Sequence, residues 1–289
     1  MLSYTFIILL VAAIVLIVTT VSSFVKRLSS IFNLKNKTPL RDFLVTLPVS
    51  IIAVISLVVA IPNYTPVVKM KNATGQSLVF IGMQHVGVPS YYDEVNSIII
   101  DLRNKGYTIL HEGVGMRGDV SITLKSCSRT NETPSPYGLI SQPKCIGEYH
   151  QGDKYADIDY FEFIDLYTNQ LQDKLGISKE EALKIATSKR VEINNEVEEI
   201  KNNFIDYFAT KLMSMNTSFP YFFSSKWQNN DNEDPVIMGK RNEILVDYIS
   251  SIEKPATAYG MAHISGVVNM LKEKDSTWEV IEVDQLRVL

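Results

Sequence analysis

Two long apolar runs open the chain, and short periodic segments follow them. Leu2 to Val25 carries no charged side chain over 24 residues, and Phe43 to Val68 is again uncharged, with its apolar centre at Phe43 to Ile61. About 20 apolar residues span a bilayer as a helix, so the pattern predicts two membrane helices, about 2–25 and 43–61. Pro48 is tolerated near the start of the second, because a membrane helix can re-satisfy a freed carbonyl. Beyond them the pattern shortens. Leu78 to Ile81 reads as a buried strand. Val95, Ile98, Ile99 and Leu102 recur at helical spacing over Tyr92 to Asn104. Asn104-Lys105-Gly106 stops that helix, and Tyr107 to His111 is the next strand. A second such unit closes the chain: strand Ala256 to Tyr259, helix His263 to Leu271, strand Trp278 to Val283.

The middle is different. Residues 118–153 are rich in Ser, Thr, Pro, Asn and Gly and read as a loop insertion; loops of that length are usually functional or disordered. Asp157 to Leu175 reads as a helix with Phe161, Ile164, Leu171 and Leu175 inward. Ser178-Lys179-Glu180-Glu181 is a capping box, opening a long helix that runs to about Met213. Another helix covers about Gly239 to Ile252. The expected fold is therefore α/β: duplicated β-α-β units with a helical middle segment, preceded by a two-helix transmembrane hairpin. The expected division is 1–68 for the anchor and 69–289 for one domain of a size that fills a single core.

Charge orients this hairpin. Lys26, Arg27, Lys35, Lys37 and Arg41 lie between the spans against Asp42 alone. Positive loops stay cytoplasmic, so the loop 26–42 is expected inside and the C-terminal domain outside the cytoplasm. The residues after 68 hold 23 of the 28 basic and 31 of the 32 acidic side chains, a formal charge of −8. That balance argues against nucleic acid as a partner and leaves the bilayer as the partner of the two helices. An oxidising compartment permits a Cys127–Cys145 disulfide, closing a loop with 17 intervening residues. Two free thiols are the alternative.

Gly82-Met83-Gln84-His85 and Gly260-Met261-Ala262-His263 each follow a predicted strand, and they hold two of the chain's four histidines. A turn at the C-terminal end of a strand is where open α/β sheets place their sites. Glu112 ends the strand between them. Two imidazoles and a carboxylate can bind a divalent metal and leave a position open for water. Without metal, the same set can serve as general base and orienting acid. Arg241 is a permanently charged fork suited to an oxyanion or a carboxylate, and Asn242 can orient a ligand; an ion pair with a nearby acid is the plainer role for Arg241. His111 should pack beneath Glu112, since neighbours on a strand point to opposite faces, and His150 should be solvated. Gly113-x-Gly115-x-x-Gly118 fits a dinucleotide pattern, but no helix follows it. No Gly-x-Ser-x-Gly elbow is present.

Gly82-x-x-His85, Glu112, Arg241-Asn242 and Gly260-x-x-His263, in that order, resemble the TraB/PrgY/TIKI family, part of a superfamily with erythromycin esterases and ChaN-like haem-binding proteins. The resemblance covers roughly Leu78 to Val114 and Gly239 to Asp284. It implies a duplicated α/β fold and a membrane-tethered metalloprotease acting on peptides or protein termini outside the cytoplasm. His85, Glu112 and His263 would be its metal ligands, the metal being Mn, Co or Zn, and these three with Arg241 and Asn242 its catalytic set. A metal-independent esterase of the erythromycin esterase type and a non-enzymatic peptide- or haem-binding module are the alternatives.

Overall fold

The computed structural model describes residues 63–113, 117–119, 134–143, 150–188, 203, 205–208, 211 and 235–288. Both proposed membrane helices, Cys127 and Cys145 lie outside the described residues. Among those described, no helix is long and apolar enough to cross a membrane.

The protein is α/β with a seven-stranded mixed sheet. Strands β1 (Tyr64–Lys71), β2 (Ser77–Met83), β4 (Thr108–His111), β5 (Arg117–Asp119), β7 (Lys154–Ala156), β8 (Pro255–Gly260) and β9 (Glu279–Arg287) lie in the order β5-β7-β4-β8-β2-β1-β9. The short strands β3 (Val86–Gly87) and β6 (Ile140–Ser141) pair separately. Four neighbours, β7, β4, β8 and β2, are mutually parallel, while β1 runs antiparallel to both β2 and β9.

Helix α1 (Pro89–Asn104) joins β2 to β4, and helix α4 (Ile264–Lys274) joins β8 to β9. Both predicted β-α-β units therefore exist, but each crossover skips strands. β8 lies between β2 and β4, and both β2 and β1 lie between β8 and β9. The two units thus interleave, and the first and last described strands, β1 and β9, are neighbours in one sheet.

The strand pleat separates two cores, because alternate side chains point to opposite faces. On one face Val79, Ile81, Ile109, Ala256 and Ala258 pack under Tyr91, Tyr92, Val95, Ile99 and Leu102 of α1. On the other, Leu78, Phe80, Leu110 and Tyr259 pack under α4 and helix α3 (Arg241–Ser250). Ala256 and Ala258 are the small side chains of that face, on the central strand β8.

Several expectations change. The boundary after residue 68 falls inside β1, whose Val67 and Val68 belong to the two cores; the domain begins by residue 63. Its uncharged start merged with the preceding apolar run, so periodicity alone could not divide them. The insertion contains β5 and β6, and β7 follows directly upon it; each has three residues or fewer, too short to show alternation. Helix α2 (Tyr160–Leu175) starts later than expected, because the Asp159 carboxylate caps it at the Phe161 N–H. Phe161 and Leu175 are exposed rather than inward. Ser178 does cap the next helix, over 179–188, at the Glu181 N–H. That helix does not continue unbroken to Met213: Asn203 is not helical, and its side chain accepts from the Ile205 N–H to start a new turn.

Candidate functional site

The four adjacent parallel strands end at one edge of the sheet, and each delivers a polar side chain just beyond its last residue. β7 is followed by Asp157, β4 by Glu112, β8 by the turn holding His263, and β2 by the turn holding His85. The register makes this concrete: Met83 is level with Gly260, and His111 with both Ala258 and Tyr155.

Helix α3 supplies the rest. A π-helical turn over Pro235–Lys240 runs straight into it, a geometry frequent at functional sites. Arg241 and Asn242 in its first turn are both buried. Lys240 faces outward and pairs with Glu243 at 3.0 Å.

Arg241 is the hub. Its Nε and Nη2 donate to Asp157 Oδ1 and Oδ2, each at 2.8 Å, and Nη2 also donates to Glu112 Oε1 at 2.5 Å. The Gly260 N–H donates to the other Glu112 oxygen at 2.6 Å. Burial opposes the Arg241 charge, but the Asp157 hydrogen bonds and the neighbouring acids outweigh it and raise its pKa above the ordinary arginine value. The ion pair with a nearby acid therefore exists, with two acids instead of one.

His263 sits in a 3₁₀ turn over Met261–His263 and is 3% exposed. Its Nδ1 lies 2.7 Å from Asn242 Oδ1. A carboxamide oxygen only accepts, so Nδ1 carries the proton and Nε2 is bare. Nε2 faces Glu112 Oε1 across 4.0 Å. Burial, then the Arg241 charge, hold the His263 pKa down to about 4, against the pull of Glu112 and Asp157. The imidazole is therefore neutral at pH 7. Tyr259 supports both groups: its ring meets His263 edge-on at 4.7 Å, and the Arg241 guanidinium lies 5.3 Å from its centroid.

His85 is the exposed member. It forms no hydrogen bond through its ring with the cluster, yet it stands near enough for its charge to oppose protonation of His263. Its backbone is held firmly. Tyr91 and Tyr92 donate to the carbonyls of Gly82 and Gln84, each at 2.9 Å, and the Gln142 N–H donates to the His85 carbonyl at 2.7 Å. Gln84 Nε2 meets Met261 Sδ at 3.0 Å, tying the two Gly-x-x-His turns together.

Of the residues expected from sequence, Glu112 bonds to Arg241 and Asn242 to His263, and the two pairs face each other across 4.0 Å with the exposed His85 at their margin. Asp157 was missed. It follows a three-residue strand, and its signal was an apolar pair followed by an acid, Tyr155-Ala156-Asp157. His111 lies on the opposite face, as expected, bonded to Asp153 at 3.1 Å. Arg103 joins the same carboxylate at 2.5 Å. His150 is exposed.

Of the expected metal ligands, Glu112 and His263 are not at the separation tetrahedral zinc would set. Zinc bonds of about 2.0–2.1 Å in tetrahedral geometry put ligand atoms about 3.4 Å apart, not 4.0 Å. The Glu112 oxygen facing His263 is already taken by a guanidinium, whose charge repels a cation. Among the described residues, no three His, Cys, Asp or Glu are grouped to hold a metal ion. Compared with protein-family models, curated proteins and solved structures, the chain matches none.

Proposed function

We propose that this protein is a membrane-anchored hydrolase that cleaves ester or amide bonds of peptides or protein termini outside the cytoplasm, with Arg241 supplying the positive charge that a metal would otherwise provide. The observation that carries the reading is the pair of facing acceptors, His263 Nε2 and Glu112 Oε1, 4.0 Å apart. Neither can donate to the other at neutral pH. The complement of two acceptors is a group with two hydrogens, and a water oxygen about 2.8 Å from each satisfies both. Its lone pairs then stay free for a carbonyl carbon.

In this reading Glu112 and His263 orient the water. A histidine with a pKa near 4 is a weak proton acceptor. Glu112, which already holds one of the water's two hydrogens, takes that proton as the oxygen–carbon bond forms. It returns the proton to the departing oxygen or nitrogen as the scissile bond breaks, with the exposed His85 at the margin to receive the substrate. The Arg241 Nη1 donors have no hydrogen-bond partner among the described residues and serve the developing oxyanion. The likeness of the two Gly-x-x-His turns supports an origin by duplication. The resemblance to the TraB/PrgY/TIKI family supports the peptide substrate, and the five basic residues of the 26–42 loop support the outward domain.

The test is turnover of a panel of peptides and esters by the purified full-length protein, with and without chelator. Activity should survive chelation and fall by about 10²-fold or more in Glu112→Gln. Loss of activity on chelation would return His85, Glu112 and His263 to the role of metal ligands. Peptide or haem binding without turnover would make the protein a binding module.

A further inference from the structure

We infer that Asp157 is a positioning residue of this site, acting through Arg241 to hold Glu112 in its water-orienting pose. The inference rests on the hydrolytic reading for its catalytic consequence and on geometry for the rest. Asp157 is 0% exposed, and its carboxylate accepts four hydrogen bonds. Oδ1 takes Arg241 Nε at 2.8 Å and the Ile158 N–H at 2.7 Å; Oδ2 takes Arg241 Nη2 at 2.8 Å and the Gly113 N–H at 2.9 Å. Every acceptor site on the group is used, so it has no capacity left for substrate or water.

The two backbone donors fix the carboxylate to the ends of its own strand, β7, and of the neighbouring strand, β4. Its bidentate grip then fixes the plane of the guanidinium, which leaves a single Nη2 hydrogen for Glu112. That one-point contact matters. Fork-to-fork pairing is the geometry arginine and a carboxylate otherwise prefer. With Asp157 neutralised, Glu112 becomes the only carboxylate beside Arg241. The fork then turns to Glu112 and occupies both of its oxygens. Oε1 would no longer face His263 Nε2, and the pair of acceptors would be lost although each residue remains.

Asp157→Asn and the double variant Asp157→Asn/Arg241→Gln, both in the full-length protein, test this by crystal structure, thermal unfolding and turnover. Asp157→Asn should show Arg241 rotated onto Glu112 and kcat reduced by about 10²-fold, the loss expected from misplacement of about 1 Å, with KM little changed. It should also lower the unfolding midpoint, because removing one partner of a buried pair strands the other. The double variant removes the stranded charge and should recover the midpoint without recovering kcat. A double variant in which Glu112 Oε1 still faces His263 Nε2 would reduce Asp157 to a structural role. So would an Asp157→Asn structure with Arg241 and Glu112 unmoved. A wild-type protein inactive on every substrate would overturn the hydrolytic reading, whereas the displacement of Arg241 would still decide the placement claim. If Asp157→Asn alone does not fold, the crystal structure of the double variant decides: Glu112 held in its wild-type pose there overturns the proposal.

Discussion

The two glycines that open the Gly-x-x-His turns occupy the same place in the motif but different surroundings, and substituting each by alanine separates packing from function. A Cβ on Gly82 would lie 3.0 Å from Met261 Cβ, 3.0 Å from the Pro66 carbonyl oxygen and 3.2 Å from Ile264 Cδ1. Only the last is the free end of a side chain. The first two are anchored to the 3₁₀ turn and to β1, so backbone must move. Overpacking of this kind costs about 1–3 kcal/mol. At roughly 2–4 °C per kcal/mol for a domain of this size, the unfolding midpoint of Gly82→Ala should fall by about 2–12 °C. A Cβ on Gly260 meets nothing nearer than 3.4 Å, at Glu112 Oε2 and His263 Cδ2, with Glu112 Oε1 at 3.6 Å. Its φ of −46° suits alanine, and loss of unfolded-state freedom favours the variant by about 0.4–1 kcal/mol where the backbone fits. Gly260→Ala should therefore unfold within about 1 kcal/mol of wild type. Yet its methyl stands against the acid and the imidazole that orient the water, and turnover should collapse. Thermal unfolding followed by circular dichroism, alongside hydrolysis of the best substrate, gives both readouts. A silent Gly82→Ala, or a Gly260→Ala that loses as much stability, would refute the packing argument.

Acid should weaken the fold in two stages. His263 has a folded pKa near 4 against about 6.5 unfolded, so its neutral form contributes stability above pH 6.5 that is lost as pH falls toward 4. At about 1.4 kcal/mol per unit, this amounts to roughly 3 kcal/mol. His111 is also held low, by burial, and adds with the same sign. The Asp153 carboxyl is pushed up by burial but held lower still by His111, Arg103 and the His150 N–H; its contribution is lost only as pH falls below the ordinary aspartate value. Denaturant titrations between pH 7 and 4 should flatten in His263→Gln, and an unchanged slope would contradict the neutral imidazole. A reporter fused after Leu289 should be active only outside the cytoplasm; a cytoplasmic signal would reverse the orientation read from the 26–42 loop.

Much of the site was legible because its residues follow strands that were themselves legible. Leu78 to Ile81 and Ala256 to Tyr259 are apolar runs bounded by glycine, and the residues after them carry the histidines. Glu112 follows a strand of the same kind. Asp157 was illegible for the opposite reason: β7 has three residues, and the helix of β-α-β units gives no warning of a strand that follows an insertion. The interleaving of the two units could not be read either. Periodicity identifies strands but not their neighbours, and β8 reaches its place between β2 and β4 from nearly 150 residues downstream of β4. The motif also concealed a difference between its two histidines. The second turn passes directly into 3₁₀ and α-helix, which buries His263, whereas the first passes through β3 before α1 begins, leaving His85 at the surface.

The protonation state of His263 tests the central claim most directly. The chain has only four histidines, so long-range ¹H–¹⁵N spectra of the full-length protein with labelled histidine can be assigned by single substitutions. At pH 7 His263 should be neutral, with its proton on Nδ1 and a bare Nε2, and it should remain so down to about pH 5, below which it begins to titrate. Asn242→Ala should release that tautomer preference. An imidazolium at pH 7, or a neutral ring with its proton on Nε2, would contradict the account, because Nε2 would then be a donor to Glu112 and no pair of acceptors would be left to hold the water.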